Sequence, residues 1–145
     1  MTAWPSGARE LVTAARVARL ATGDRFGVPH AVPICFAILG DRLYSVVDAK
    51  PKRRPLALKR LRNLAENPHA AVIVDHYEED WANLAYVLLR GSASVVDDER
   101  EYGAAVHALR DKYPQYVRMT LVPASNPLIR VHVERVHYWC AAARD

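Results

Sequence analysis

DAKPKRRPLALKRLRNLAENP, from Asp48 to Pro68, lies between two segments with the composition of strands and concentrates the positive charge of the chain. Seven cationic residues and no acidic residue stand between Lys50 and Arg62. The 145-residue chain has 20 Lys+Arg against 16 Asp+Glu, so the rest of it, with 13 against 16, is net negative. A cationic cluster on an otherwise acidic chain predicts an anionic partner at that place.

The same stretch contains a predicted helix. DRLYSVVD (Asp41–Asp48) has the β-branched and aromatic residues of a strand, and Pro55 suits the first turn of a following helix. Polar Lys59, Asn63 and Glu66 are expected to point away from the apolar face. That face has five members: Ala57, Leu58, Leu61, Leu64 and Ala65. A strand end, a basic turn and a helix N-terminus together predict a phosphate site, with a solvated basic turn as the alternative.

The rest of the chain predicts a mainly β protein with α decoration. Pro29 and Pro33 favour an edge, a bulge or a ligand-facing stretch, and Gly91 favours a bend or bulge. Helices are predicted at Ser6–Arg16, from Pro55 onward, and at Glu99–Tyr113. Six segments read as strands: Val17–Thr22, Val28–Leu39, Asp41–Asp48, His69–Tyr77, Ala82–Asp98 and Leu128–Cys140. We therefore expect one domain, a six-stranded antiparallel β-barrel with about three helices.

Composition narrows the protein class. No apolar run reaches the length of a membrane span, and the N-terminal residues show no secretory signal. Cys35 and Cys140 are far apart in the sequence, which favours free thiols and a cytoplasmic location. The six histidines show no metal-ligand spacing, and no motif for covalent catalysis is present. We expect no metal site.

At this level of detail the chain resembles a known family, the pyridoxamine-phosphate-oxidase-like split β-barrels, whose members bind FMN or the deazaflavin coenzyme F420. The pairing of KPKR with DHYEEDW resembles the F420-using branch. The matching segments cover most of the chain: ARVARLAT (15–22), GVPHAVPICFAI (27–38), LYSVVDAKPKR (43–53), RLRNLAENPHAAVIVD (60–75), the strand after Trp81, and VHYW (136–139).

The resemblance implies a six-stranded split barrel that forms a homodimer, with the cofactor in a groove at the subunit interface. Residues that match the phosphate-side segment are Lys50, Lys52, Arg53, Arg60 and Asn63. Residues that match the ring-lining strand are His30, Pro33 and Cys35. Trp81 matches an aromatic residue that approaches the ring, either in the same subunit or from the partner subunit. The alternative interpretation is that Trp81 anchors the barrel or the dimer. The longer stretch RRPLALK leaves open whether Arg53 and Arg54 or Lys59 and Arg60 contact the phosphate.

Charge favours F420 among these cofactors. FMN has one phosphate, whereas F420 carries a phosphodiester and a polyglutamate tail, which an extended cationic patch suits better. We therefore predict an F420-dependent oxidoreductase that passes a hydride to a small conjugated electrophile such as an enone, a quinone or a tetrapyrrole-like compound. An FMN enzyme is the nearest alternative. A non-catalytic deazaflavin or haem binder is another, because no residue is an obvious general acid. Nucleic acid is not expected, since only Tyr44 and Tyr77 could stack near the cations.

Overall fold

A computed structural model of the protein describes residues 2–48 and 55–143, with the side chains of 2–48 and 59–142. Three α-helices lie in these ranges: α1 (Ala8–Ala14), α2 (Pro55–Glu66) and α3 (Glu99–Lys112). Short 3-10 helices span Trp81–Asn83, Pro114–Arg118 and Ala141–Ala143. The strands are β1 (Ala18–Gly23), β2 (Pro29–Ile34), β3 (Ala37–Leu39), β4 (Arg42–Val46), β5 (His69–His76), β6 (Ala85–Val95) and β7 (Leu128–Cys140).

These strands form one antiparallel sheet in the order β2-β1-β5-β6-β7-β4-β3, curved into an open half-barrel. The prediction of a mainly β fold with three helices is confirmed, but the prediction of six strands is wrong. The predicted strand Val28–Leu39 is two strands, β2 and β3, which lie at opposite edges of the sheet.

The break between β2 and β3 has a physical cause at Phe36. Its side chain is fully buried, and its backbone N–H donates to the Tyr113 hydroxyl (3.1 Å) at the end of α3. Tyr113 donates in turn to the carbonyl of Arg16 (2.9 Å). Because the Phe36 N–H is used by a side chain and not by a neighbouring strand, the chain leaves one edge of the sheet here and joins the other.

The core has two parts. Inside the half-barrel, the inward residues of β1, β5, β6 and β7 pack with Phe36 and with Leu64 of α2. On the other side of β3 and β4, α3 packs its apolar face against Tyr44 and Val46. The alternation of buried and exposed residues along β5 and β6 produces this arrangement, since successive side chains of a strand face opposite sides.

Helix α2 differs from its predicted orientation at one position. Leu64 is buried and Leu61 packs against the core, as predicted. Asn63, however, was expected to point away from the core and is only 1% exposed. Its amide Nδ2 donates to the Thr22 hydroxyl of β1 (3.0 Å), so a hydrogen bond to the sheet compensates for burial of a polar side chain.

None of the helices in the described ranges is long and apolar enough to cross a membrane. The single domain and the cytoplasmic location stay predictions.

Candidate functional site

A cavity of about 220 Å³ lies where the end of β4, the β2–β3 link and α2 meet. Six of its lining residues carry the argument that follows: Pro33, Cys35, Ser45, Asp48, Arg60 and Tyr116. The structure thus brings together three predicted site residues, Pro33, Cys35 and Arg60, from segments that are distant in the sequence. The cavity also adjoins Asp48, the last described residue before the basic stretch that begins at Lys50.

Arg60 is the cation of this cavity. Its Nε atom is buried and has no hydrogen-bond partner in the described part of the chain. Burial lowers the pKa of Arg60, while the carboxylate of Asp48 acts in the opposite direction. An arginine remains charged under these conditions, so Arg60 presents a poorly solvated guanidinium with unused donor capacity. Such a group binds anions well, because a buried unpaired donor costs free energy until it is satisfied.

Two polar groups beside Arg60 were not predicted. Ser45 is a buried polar residue, 3% exposed, that lines the cavity. Tyr116 donates its hydroxyl to Asp48 Oδ2 (2.8 Å), and burial followed by this hydrogen bond strongly raises the pKa of Tyr116. The tyrosine therefore stays protonated and fixes the Asp48 carboxylate. A polar residue inside the apolar strand LYSVV was the one sequence signal for Ser45.

Cys35 lines the cavity from the β2–β3 link and is partly exposed. Behind it, the ammonium of Lys112 lies 3.7 Å from the centre of the Phe36 ring. Burial, followed by the charge of Arg16, lowers the pKa of Lys112 to about 8, and Cys35 partly opposes this shift. Phe36 and Lys112 do not line the cavity themselves, and the sequence did not indicate their contact.

His30 and Asn63 are not part of this cavity. His30 is paired with Thr22 in the β1–β2 register, and Thr22 accepts the hydrogen bond from Asn63. In the described ranges, His30 Nε2 and Asn63 Oδ1 are buried without hydrogen-bond partners. Because His30 and Pro33 are three residues apart on one strand, they face opposite sides of the sheet. The structure therefore separates His30 and Asn63 from Pro33 and Cys35.

Trp81 also lies outside the cavity. It is 66% exposed, in the short helix between β5 and β6, and its indole N–H donates to the Tyr77 hydroxyl (3.4 Å). Tyr77 is itself 59% exposed. In the part of the chain that the structure describes, neither Trp81 nor Tyr77 lines the cavity at Arg60.

The other predicted site residues lie outside the described ranges. Lys50, Lys52 and Arg53, with Arg54, fall in the segment 49–54, outside the described residues. No group of three or more His, Cys, Asp or Glu side chains that could hold a metal ion occurs in the described ranges.

The sequence model of the pyridoxamine 5'-phosphate oxidase family matches residues 6–140. The chain belongs to this family, and the expected resemblance is confirmed at that level. No curated protein matches the chain.

Solved structures share the fold at low sequence identity. A haem-binding protein from Mycobacterium smegmatis is 24% identical, with a TM-score of 0.75, over 98% of this chain and 57% of that one. An FAD-binding protein from Mesorhizobium loti is 22% identical, with a TM-score of 0.66, over 94% of each chain. The haem storage protein HutZ from Vibrio cholerae is 15% identical, with a TM-score of 0.67, over 91% of this chain and 90% of that one. The fold thus occurs in flavin-binding and in haem-binding proteins.

Proposed function

We propose that the protein is an F420-dependent oxidoreductase. The observation that carries this proposal is Arg60, whose buried Nε has no hydrogen-bond partner in the described part of the chain and which shares its cavity with the buried Ser45. A phosphorylated cofactor supplies the acceptors that such a group lacks. The number of cations between Lys50 and Arg62 favours F420, with its phosphodiester and acidic tail, over the single phosphate of FMN.

When bound, reduced F420 supplies a hydride from C5 of the deazaflavin ring to a small conjugated electrophile. The protein binds and orients it. Arg60 and Ser45 would hold the polar part of the cofactor, together with Lys50, Lys52 and Arg53. Pro33 and Cys35 would exclude water from one side of the ring, and the Asp48–Tyr116 pair would keep Arg60 in position. Positioning of this kind accounts for much of the rate gain in cofactor enzymes.

The proposed active form is a homodimer with the cofactor groove at the subunit interface. What supports it is the exposure of Trp81, which lies at the tip between β5 and β6 and away from its own cavity. In a dimer, this indole would cover the ring of the partner's cofactor. Large aromatic side chains are common where a subunit contact completes a binding site.

Two alternatives have support of their own. The FAD-binding neighbour favours a flavin such as FMN in the same cavity. The haem-binding and haem-storage neighbours favour a non-catalytic binder. Within the described ranges, the hydroxyl of Tyr116, which lines the cavity, already donates to Asp48 and is not a free proton donor, which also suits the binder.

Thermal unfolding of the purified protein with F420, FMN or haemin distinguishes the cofactors. A ligand present at about 100 times its Kd stabilises the fold by about 2.7 kcal/mol. We expect F420 to give the largest rise in Tm. A clear rise with FMN or haemin and none with F420 would overturn the choice of cofactor. Oxidation of reduced F420, followed by absorbance with enones and quinones as acceptors, then separates an enzyme from a binder.

A further inference from the structure

A second, larger cavity lies on the outward face of the sheet, the face opposite the half-barrel core. Its volume is about 500 Å³, and it is built on β1, β5, β6 and β7. It shares no described lining residue with the cavity at Arg60. A volume of 300–1,000 Å³ is usual for small-molecule sites. The proposed cofactor function makes no use of it.

A β-bulge shapes this cavity. Arg90 of β6 pairs with Arg135 of β7, but the next pair is Gly91 with Val133, so Glu134 is an extra residue in β7. A β-carbon at Gly91 would lie 1.8 Å from the carbonyl oxygen of His132, so only glycine lets the two strands approach this closely. Val133 is buried, whereas Glu134 and Arg135 are both exposed. The bulge therefore turns two consecutive side chains, Glu134 and Arg135, toward the outward cavity.

The strand registers create a continuous row across the outward face. Ala31 of β2 pairs with Ala21 of β1, and Ala21 pairs with Ala71 of β5. Ala71 pairs with Arg90, and Arg90 pairs with Arg135. The row therefore consists of three alanines followed by two arginines on neighbouring strands. In an antiparallel sheet, like charges placed directly opposite each other destabilise the pairing.

Neither of these two arginines is compensated within residues 2–48 and 55–143. Neither Arg90 nor Arg135 makes a salt bridge or a hydrogen bond through its guanidinium there. By contrast, Arg19 on the same face pairs with Asp75 (3.4 Å). Glu134 lines the same cavity but forms no ion pair with either arginine. The two guanidiniums therefore retain their full capacity to bind a carboxylate, for which arginine has the matching bidentate geometry.

We propose that this outward cavity binds a small organic carboxylate. The carboxylate lies between Arg90 and Arg135, and the apolar body of the ligand lies over Ala21 and Ala71. His69 and Asn67 border the far side of the cavity. The carboxylate of Glu134 repels the bound anion and so lowers the affinity of the cavity for it. A short aromatic or branched aliphatic acid fits the combination of an apolar floor with a cationic end.

Benzoate and benzamide are the probes, because they have the same shape and differ in charge. We expect benzoate, and not benzamide, to raise the Tm of the wild-type protein and to give a saturable heat in calorimetry. Arg90→Gln/Arg135→Gln should weaken benzoate binding at least tenfold, and each single variant should weaken it less. Arg19→Gln, on the same face but engaged with Asp75, should leave the affinity unchanged. Glu134→Gln should strengthen it. Circular dichroism confirms that each variant is folded.

Equal responses to benzoate and benzamide would overturn the proposal, as would equal benzoate affinity in the wild type and the double variant. Light scattering, which measures the molecular mass in solution, tests the alternative that the two arginines serve a contact between copies of the chain. If the double variant changes the molecular mass in solution and benzoate has no effect on the wild type, the arginines serve a contact between copies of the chain, and the carboxylate site is refuted. None of these readouts depends on F420, so the outcome is independent of the proposed function.

Discussion

The buried pair Asn63 and Thr22 links helix α2 to strand β1, and its strength can be measured directly. The Asn63 amide donates to the Thr22 hydroxyl at 3.0 Å, and both side chains are at most 5% exposed. Thr22→Val keeps the shape of the side chain and removes the acceptor, leaving the Asn63 amide buried and unsatisfied. We expect this to lower the free energy of unfolding by about 1–3 kcal/mol. Asn63→Ala should cost a similar amount, because it orphans the Thr22 hydroxyl and opens a small cavity.

Urea unfolding of both single variants and the double variant gives the coupling between the two residues. We expect a coupling free energy of about 1 kcal/mol, since the second substitution loses no further hydrogen bond. Thr13→Val, at an exposed position of α1, is the control and should change stability by less than about 0.5 kcal/mol. Additive single-variant effects, or losses no larger than the control, would refute the burial of Asn63. F420 affinity gives a second test: a tenfold loss in Asn63→Ala, with none in Thr22→Val, would return Asn63 to the cofactor site.

Further substitutions test the packing around the sites. Burial lowers the pKa of Lys112 from 10.5 to about 8, so its charged form destabilises the fold fully below pH 8, and this penalty disappears as the pH rises to 10.5. Lys112→Met should therefore raise the free energy of unfolding near pH 7 by about 1–3 kcal/mol, and the gain should vanish by about pH 10.5. Gly91→Ala should lower the free energy of unfolding by about 3 kcal/mol or more, because the new methyl group meets the backbone carbonyl of His132. Gly103→Ala, in α3 with open space around it, should raise stability by about 0.5–1 kcal/mol; similar effects at both glycines in urea unfolding would contradict the bulge.

Local patterns predicted most of the fold. The apolar segments His69–Tyr77, Ala82–Asp98 and Leu128–Cys140 located β5, β6 and β7, and Gly91, expected at a bend or bulge, lies opposite the bulge that the β6–β7 register shows. Pro29 and Pro33 favoured an edge, a bulge or a ligand-facing stretch, and β2 is an edge strand. These features depend on backbone geometry within a few residues, which sequence reports well.

The strand count failed because its cause is not local. VPHAVPICFAIL is apolar apart from His30, and no polar or glycine residue marks the break at Phe36. The hydroxyl that takes the Phe36 N–H belongs to Tyr113, 77 positions along the chain. Asn63 was misplaced for the same reason, since its partner Thr22 is 41 positions away. Residue spacing predicts which face of a helix is apolar. It does not predict that a polar residue is buried because a distant strand supplies its hydrogen-bond partner.

Three of the predicted site residues, Pro33, Cys35 and Arg60, meet in one cavity, whereas His30 lies on the other side of the strand. Their roles toward a cofactor stay predictions. Tyr116 was not predicted, because it lies in a segment between prolines that has no periodic pattern. Only the folded chain brings its hydroxyl to Asp48. The Arg90–Arg135 pair was not predicted either, because the register between two strands decides which residues lie opposite each other, and the sequence does not state that register.

The most direct test of the cofactor site is calorimetric titration of F420 and FMN into the wild-type protein, Arg60→Ala and Lys59→Ala. We predict that F420 binds the wild type more tightly than FMN does. Loss of the charge-assisted contact in Arg60→Ala should cost about 1.5–3 kcal/mol, a tenfold to hundredfold loss of F420 affinity, and Lys59→Ala should differ little from the wild type. Tighter binding of FMN than of F420, or equal F420 affinity in the wild type and Arg60→Ala, would contradict the proposal.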